Sequence, residues 1–99
     1  MVTLAAPTRE SILIVDDEKT VRRSLNKCLS RKGYACSEAA TAAEALAHLE
    51  STPADLVILD IMMPGTSGHE LLPRLKEKHP DTAVVMATAV IEPDMIVNC

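Results

Sequence analysis

The sequence predicts an α/β domain built on a doubly wound parallel sheet. Three observations lead there. Two continuous apolar runs, Ser11-Ile12-Leu13-Ile14-Val15 and Leu56-Val57-Ile58-Leu59, each end in aspartate. Such runs suit strands buried on both faces of a parallel sheet. Between and after them the apolar period changes to that of helices, so strands and helices alternate along the chain.

The elements follow in order. Residues 1–10 read as a loose N-terminal leader, with Pro7 and little periodicity. After the first strand, Val21, Leu25, Cys28 and Leu29 fall on one helical face, and Gly33 is placed to end that helix at C′. Arg22, Arg23, Lys27, Arg31 and Lys32 lie mostly off the apolar face and read as a solvated surface. Tyr34 to Ala39 is a weaker, partly polar strand, as expected near a sheet edge. Thr41-Ala42-Ala43-Glu44 is a capping-box pattern opening a second helix that runs to about Ser51, with Pro53 behind it. Asp55 to Asp60 is the next strand. A loop with Met62, Met63, Pro64 and Gly65 leads to Ser67-Gly68-His69-Glu70, a second capping-box candidate. Pro73 falls inside the helix that follows and is expected to kink or shorten it. Thr82 to Ala89 is a fourth strand, and Ile91 to Asp94 looks like the start of another helix.

Composition bounds the function. The 99 residues suffice for one domain at most. With no Trp, no Phe and Tyr34 as the one aromatic, the core has to be aliphatic. A net charge of −4 and the lack of stacking aromatics argue against direct nucleic-acid binding. No apolar run approaches membrane-spanning length and no signal peptide is evident, so the expected compartment is the cytoplasm. Cys28, Cys36 and Cys99 have no metal-ligand spacing and read as structural thiols in a reducing compartment. His48, His69 and His79 are dispersed and read as surface residues.

The chemistry resides at the strand ends. In an open parallel sheet, ligands bind beyond the carboxyl ends of the strands, where strand order reverses. Asp16 and Asp17 follow the first strand, Asp60 ends the third, and Thr88-Ala89 ends the fourth. Converging carboxylates repel and call for a cation or for protons. A hard-oxygen set with room for water suits Mg²⁺, beside which one carboxylate can act as nucleophile toward a phosphoryl group. Taken singly, each aspartate reads more simply as a loop residue, and Asp17 as the N-cap of the first helix. It is the combination that points to chemistry.

Three segments carry a family resemblance. Ile12-Leu13-Ile14-Val15-Asp16-Asp17-Glu18 resembles the opening of a bacterial response-regulator receiver domain. Asp55 to Gly65 is similar to the family's phosphorylation segment, including the proline four residues after the acceptor. Val84-Val85-Met86-Ala87-Thr88-Ala89 resembles the strand bearing its switch hydroxyl. The match runs from about Ser11 to the end of the sequence.

The resemblance implies a flavodoxin-like sheet of order 2-1-3-4, with a receiver over 11–99 that lacks the family's fifth strand and last helix. It implies Asp60 as phospho-acceptor and Thr88 as the switch hydroxyl. It gives Mg²⁺ ligation to Asp16, Asp17, Asp60 and the Met62 backbone carbonyl, and an N–H contact to the phosphoryl group to Ala89. Ala89 and Val90 would flank the pocket and limit water access. The implied partners are a sensor histidine kinase and an output domain or downstream protein. The domain would be a phosphotransfer switch and not a conventional enzyme. The family lysine has no match here, since Lys76 and Lys78 lie in the third helix region. An uncovered apolar fourth-strand edge would favour a homodimer. The alternative function is a non-phosphorylated interaction or dimerisation module. A flavin or nucleotide binder on the same layered fold is disfavoured by the acidic loop at Asp16-Asp17-Glu18.

Overall fold

A computed structural model describes residues 10–60 and 68–87. The elements are β1 (Ser11–Val15), α1 (Lys19–Arg31), β2 (Ala35–Ala39), α2 (Ala42–Ser51), β3 (Leu56–Asp60), α3 (Gly68–Lys78) and β4 (Ala83–Ala87). All the strand pairs are parallel, in the order β2-β1-β3-β4. This is the predicted doubly wound arrangement. The chain leaves β1 for β2 on one side and returns past it to β3 on the other, so the reversal of order falls between β1 and β3.

The two continuous apolar runs occupy the centre of this sheet. Leu13 and Val15 of β1 and Val57 and Leu59 of β3 join Ala42, Ala45 and Leu49 of α2 and Leu71 and Leu75 of α3 in one aliphatic core. Side chains alternate along a strand, so Ile12 and Ile14 face the opposite side, where α1 packs on β1 and β2. Both isoleucines are buried, which accounts for a run with no polar residue. On α1, Cys28 is buried, while Val21, Leu25 and Leu29 are half-buried.

The ends of the first two helices follow sequence rules. Gly33 has φ +100°, a region that favours glycine. Its N–H reaches the Ser30 carbonyl at 3.1 Å and the Tyr34 N–H reaches Leu29 at 3.2 Å, a Schellman closure. Thr41 Oγ1 accepts the Glu44 N–H at 3.1 Å, as the capping box requires. The return bond from Glu44 goes to the Ala40 N–H at 3.3 Å, one residue earlier than the usual capping-box partner.

Several expectations are corrected. Pro73 does not end α3, which continues to Lys78; the intrahelical bond that proline cannot donate is one among several in the helix. Asp17 does not cap α1. The N-cap is Glu18, without a side-chain cap bond, and it is Asp16 Oδ1 that accepts the Glu18 N–H at 2.9 Å. Arg22 departs from the solvated basic face, its side chain being 14% exposed and paired with Glu38. Cys36 is a free thiol, as expected. His79 is half-buried, and its Nε2 is buried without a hydrogen-bond partner among the described residues.

Candidate functional site: an acidic cluster at the strand ends

The register of the central pair builds the site. Val15 lies opposite Leu59, and both side chains enter the α2–α3 core. One residue further along each strand come Asp16 and Asp60. By strand alternation they emerge on the same side, at the C-terminal rim and at the point of strand reversal. One carboxylate oxygen from each of Asp16, Asp17 and Asp60 lies within 4.8 Å of the others. Asp60 is buried, Asp16 is half-buried and Asp17 is exposed, so the cluster opens to solvent on the Asp17 side.

Such crowding has an electrostatic consequence. Two unit charges 4.8 Å apart repel by about 1 kcal/mol in water and about 3.5 kcal/mol at an effective dielectric of 20. Burial holds the Asp16 carboxyl above the usual carboxylate range of 3.8, opposed by the Glu18 N–H and reinforced by repulsion from Asp60, Asp17 and Glu18. A bound cation would relieve this strain.

The donor set fits a hard divalent ion. Oxygen ligands opposite one another around Mg²⁺ are about 4.2 Å apart, twice a metal–oxygen bond of about 2.1 Å. The 4.8 Å limit on the cluster therefore needs only a small closure, or a water in place of one direct bond. The open side leaves room for the waters and phosphate oxygens that Mg²⁺ retains.

The loop before α1 is held from several directions. The Asp16 N–H donates to the Ala39 carbonyl at 3.1 Å. The Asp16 carbonyl accepts from Arg22 Nη1 at 2.8 Å. Arg22 Nε meets Glu38 Oε1 at 3.3 Å, and Asn26 Nδ2 meets Glu38 Oε2 at 2.8 Å. Arg22, Asn26 and Glu38 were not singled out as site residues from sequence. No local pattern marks an arginine that turns inward toward a neighbouring strand. The predicted contributions of Thr88, Ala89, Val90 and the Met62 carbonyl lie outside the described residues.

Three carboxylates at the rim of a doubly wound parallel sheet fit the class of metal-assisted phosphoacceptor domains, and comparison with known proteins gives the family. Residues 12–99 match the family model described as the response regulator receiver domain, and the chain belongs to that family of two-component signalling domains. It is 45% identical over 78 residues to the transcriptional regulatory protein ResD of Bacillus subtilis, a match covering 79% of this chain and 32% of ResD. It is 40% identical over 87 residues to sporulation initiation phosphotransferase F of the same organism, covering 88% of this chain and 70% of the relative. Among solved structures, response regulator protein TrrA of Thermotoga maritima in complex with Mg²⁺-BeF superposes with a TM-score of 0.77 at 40% identity, over 83% of this chain and 71% of TrrA. The chain thus spans about a third of the length of ResD. No helix among the described residues is long and apolar enough to cross a membrane.

Proposed function

We propose that this chain is a phosphorylation switch in which Asp60 accepts a phosphoryl group from a sensor histidine kinase. The carrying observation is the convergence of Asp16, Asp17 and Asp60 within 4.8 Å at the strand-reversal point. An Asp60 carboxylate oxygen forms the new bond to phosphorus while the bond from phosphorus to the donor breaks, leaving an acyl phosphate. Asp16 and Asp17, with Asp60, are the residues proposed to hold Mg²⁺, Asp16 directly or through water, and the Met62 carbonyl is proposed to complete the protein ligands. Bound there, the ion would offset the negative charge of the phosphoryl oxygens. Thr88 and the Ala89 N–H are proposed to engage the phosphoryl group from the end of the fourth strand.

The domain then acts as a switch whose modified surface addresses an output domain or downstream protein, in a cytoplasmic setting. It turns over only its own phosphoryl group. A support for the Mg²⁺ assignment is the TrrA relative, whose structure is a complex with Mg²⁺-BeF.

Incubation with Mg²⁺ and acetyl phosphate tests the reading. The expected result is a mass gain of one phosphoryl group that requires Mg²⁺ and disappears in Asp60→Asn. Phosphorylation that persists in Asp60→Asn would overturn the assignment.

A second reading, an interaction module that pairs two copies across β4, has one observation in its favour. Val85 is 51% exposed on a strand that pairs only with β3 among the described residues. Sedimentation of the chain separates the two: a concentration-dependent dimer lost in Val85→Lys supports pairing, and a monomer at all concentrations removes it.

A further inference from the structure

Arg22 sits about one turn into α1 yet reaches back under the loop that carries Asp16 and Asp17. Its guanidinium forks. Nη1 donates to the main-chain carbonyl of Asp16 at 2.8 Å, and Nε donates to Glu38 Oε1 at 3.3 Å. Glu38 is itself held on its other oxygen by Asn26 Nδ2 at 2.8 Å. The fork therefore joins α1, the end of β1 and the β2 strand in one partly buried network.

The carbonyl chosen is the informative detail. The Asp16 carbonyl and the Asp17 N–H belong to one planar peptide unit. A bond that fixes the carbonyl direction also fixes the start of the Asp17 backbone. No hydrogen bond to the Asp17 carboxylate is found among the described residues, so the aim of that carboxylate depends on its backbone. The other side of Asp16 is fixed already, by its N–H to Ala39 and by the Glu18 N–H to its Oδ1.

We infer that Arg22 is a positioning residue for the cation site, acting through the Asp16–Asp17 peptide and not through its charge. The inference rests on the functional reading above, since it concerns the same acidic cluster. The two modes of action have opposite signs. A cation near three carboxylates disfavours a second cation by its field, and Glu38 already takes up much of the Arg22 charge. Removing the guanidinium would by field alone leave Mg²⁺ binding unchanged or make it tighter. Removing a clamp on the ligand backbone weakens it, as loss of supporting contacts around metal ligands does.

The experiment measures the Mg²⁺ dissociation constant by calorimetry for the whole chain, for Arg22→Met and for Arg22→Lys. Arg22→Met is expected to bind about tenfold more weakly. Arg22→Lys keeps the charge but has one ammonium in place of a fork, and it is expected to weaken binding by at least about threefold. In the ion-free protein, exchange of the Glu18 amide, which Asp16 Oδ1 accepts across the same loop, should accelerate in Arg22→Met while exchange at Leu13 in the core stays as it was. A purely structural role would accelerate both and leave the dissociation constant of the folded protein unchanged. Mg²⁺ affinity equal to or above wild type in Arg22→Met overturns the inference. Should that variant fail to fold, Arg22→Lys decides, and an unchanged dissociation constant there overturns it equally. Wild-type protein that takes Mg²⁺ but no phosphoryl group sinks the functional reading alone, whereas wild type that takes neither sinks both.

Discussion

Ser11 and Asp55 lock β1 to β3 at the end of the sheet away from the acidic cluster. The Ser11 N–H donates to Asp55 Oδ2 at 2.8 Å, and the Asp55 N–H reaches the Ser11 carbonyl at 2.9 Å. The Ser11 hydroxyl bridges the same two residues, accepting the Asp55 N–H at 3.1 Å and donating to Oδ2 at 3.2 Å. These bonds sit immediately before the Ile12–Leu56 pair and pin the register that carries Asp16 alongside Asp60. A slip of one residue would turn one of the two aspartates to the other face.

Asp55→Ala is accordingly expected to lower stability by about 1–2 kcal/mol, the scale of side-chain hydrogen bonds that are partly exposed. Urea denaturation measures it. Mg²⁺ affinity of the folded variant should stay at the wild-type value, because the remaining ladder and the apolar alternation still define the register.

Asp16→Asn should stabilise the ion-free protein at neutral pH while weakening Mg²⁺ binding. The amide keeps an oxygen for the Glu18 N–H and removes repulsion toward Asp17 and Asp60. Repulsion of about 1 kcal/mol at this half-exposed site corresponds to a rise of roughly 4–8 °C in Tm. A thermal melt without divalent ions that shows a fall would contradict the electrostatic account.

The same variant gives the pH dependence its sign. Burial and like charges raise the Asp16 carboxyl above 3.8 in the folded protein, so the folded state holds this proton more tightly than the unfolded chain. A raised carboxyl favours folding most at low pH, and that contribution is lost as pH rises through the shifted value. The stability advantage of Asp16→Asn over wild type should therefore be full near neutrality and should shrink as pH falls toward 3.8. Denaturation of both proteins across this window measures the gap, and a gap that widens on acidification would reject the assignment.

Gly33→Ala is expected to destabilise by about 1 kcal/mol. A methyl at that position meets nothing within 4 Å, so the penalty comes from the φ of +100° alone. The D-alanine form at the same position, introduced by chemical synthesis, should recover the loss, which separates a backbone effect from a packing one.

Much of this arrangement is legible locally. The runs at Ile12–Val15 and Leu56–Leu59 lack the polar alternation of a one-faced strand, so burial on both sides could be read directly. Thr41 with Glu44 and Gly33 after α1 are short-range signals whose partners lie within a turn. Other features were not legible, either because the choice falls between adjacent residues of like chemistry or because the partner is distant in sequence. Asp17 has the composition of a helix cap, yet Asp16 took the Glu18 N–H. Arg22 looked like one member of a basic face, and only the approach of β2 brings Glu38 to it. Pro73 was expected to kink or shorten α3, yet the helix runs on to Lys78, with Pro73 exposed and Leu71 and Leu75 held in the core on either side of it.

By itself the sequence determined the alternation of strand and helix, the aliphatic core and the placing of each aspartate at a strand end, because periodicity and caps are local properties of a chain. Only the tertiary structure decided that Asp16, Asp17 and Asp60 share one rim and that Arg22 turns inward beneath it. Those facts depend on the lateral order and register of β2, β1 and β3, which arise from packing between segments far apart in the chain.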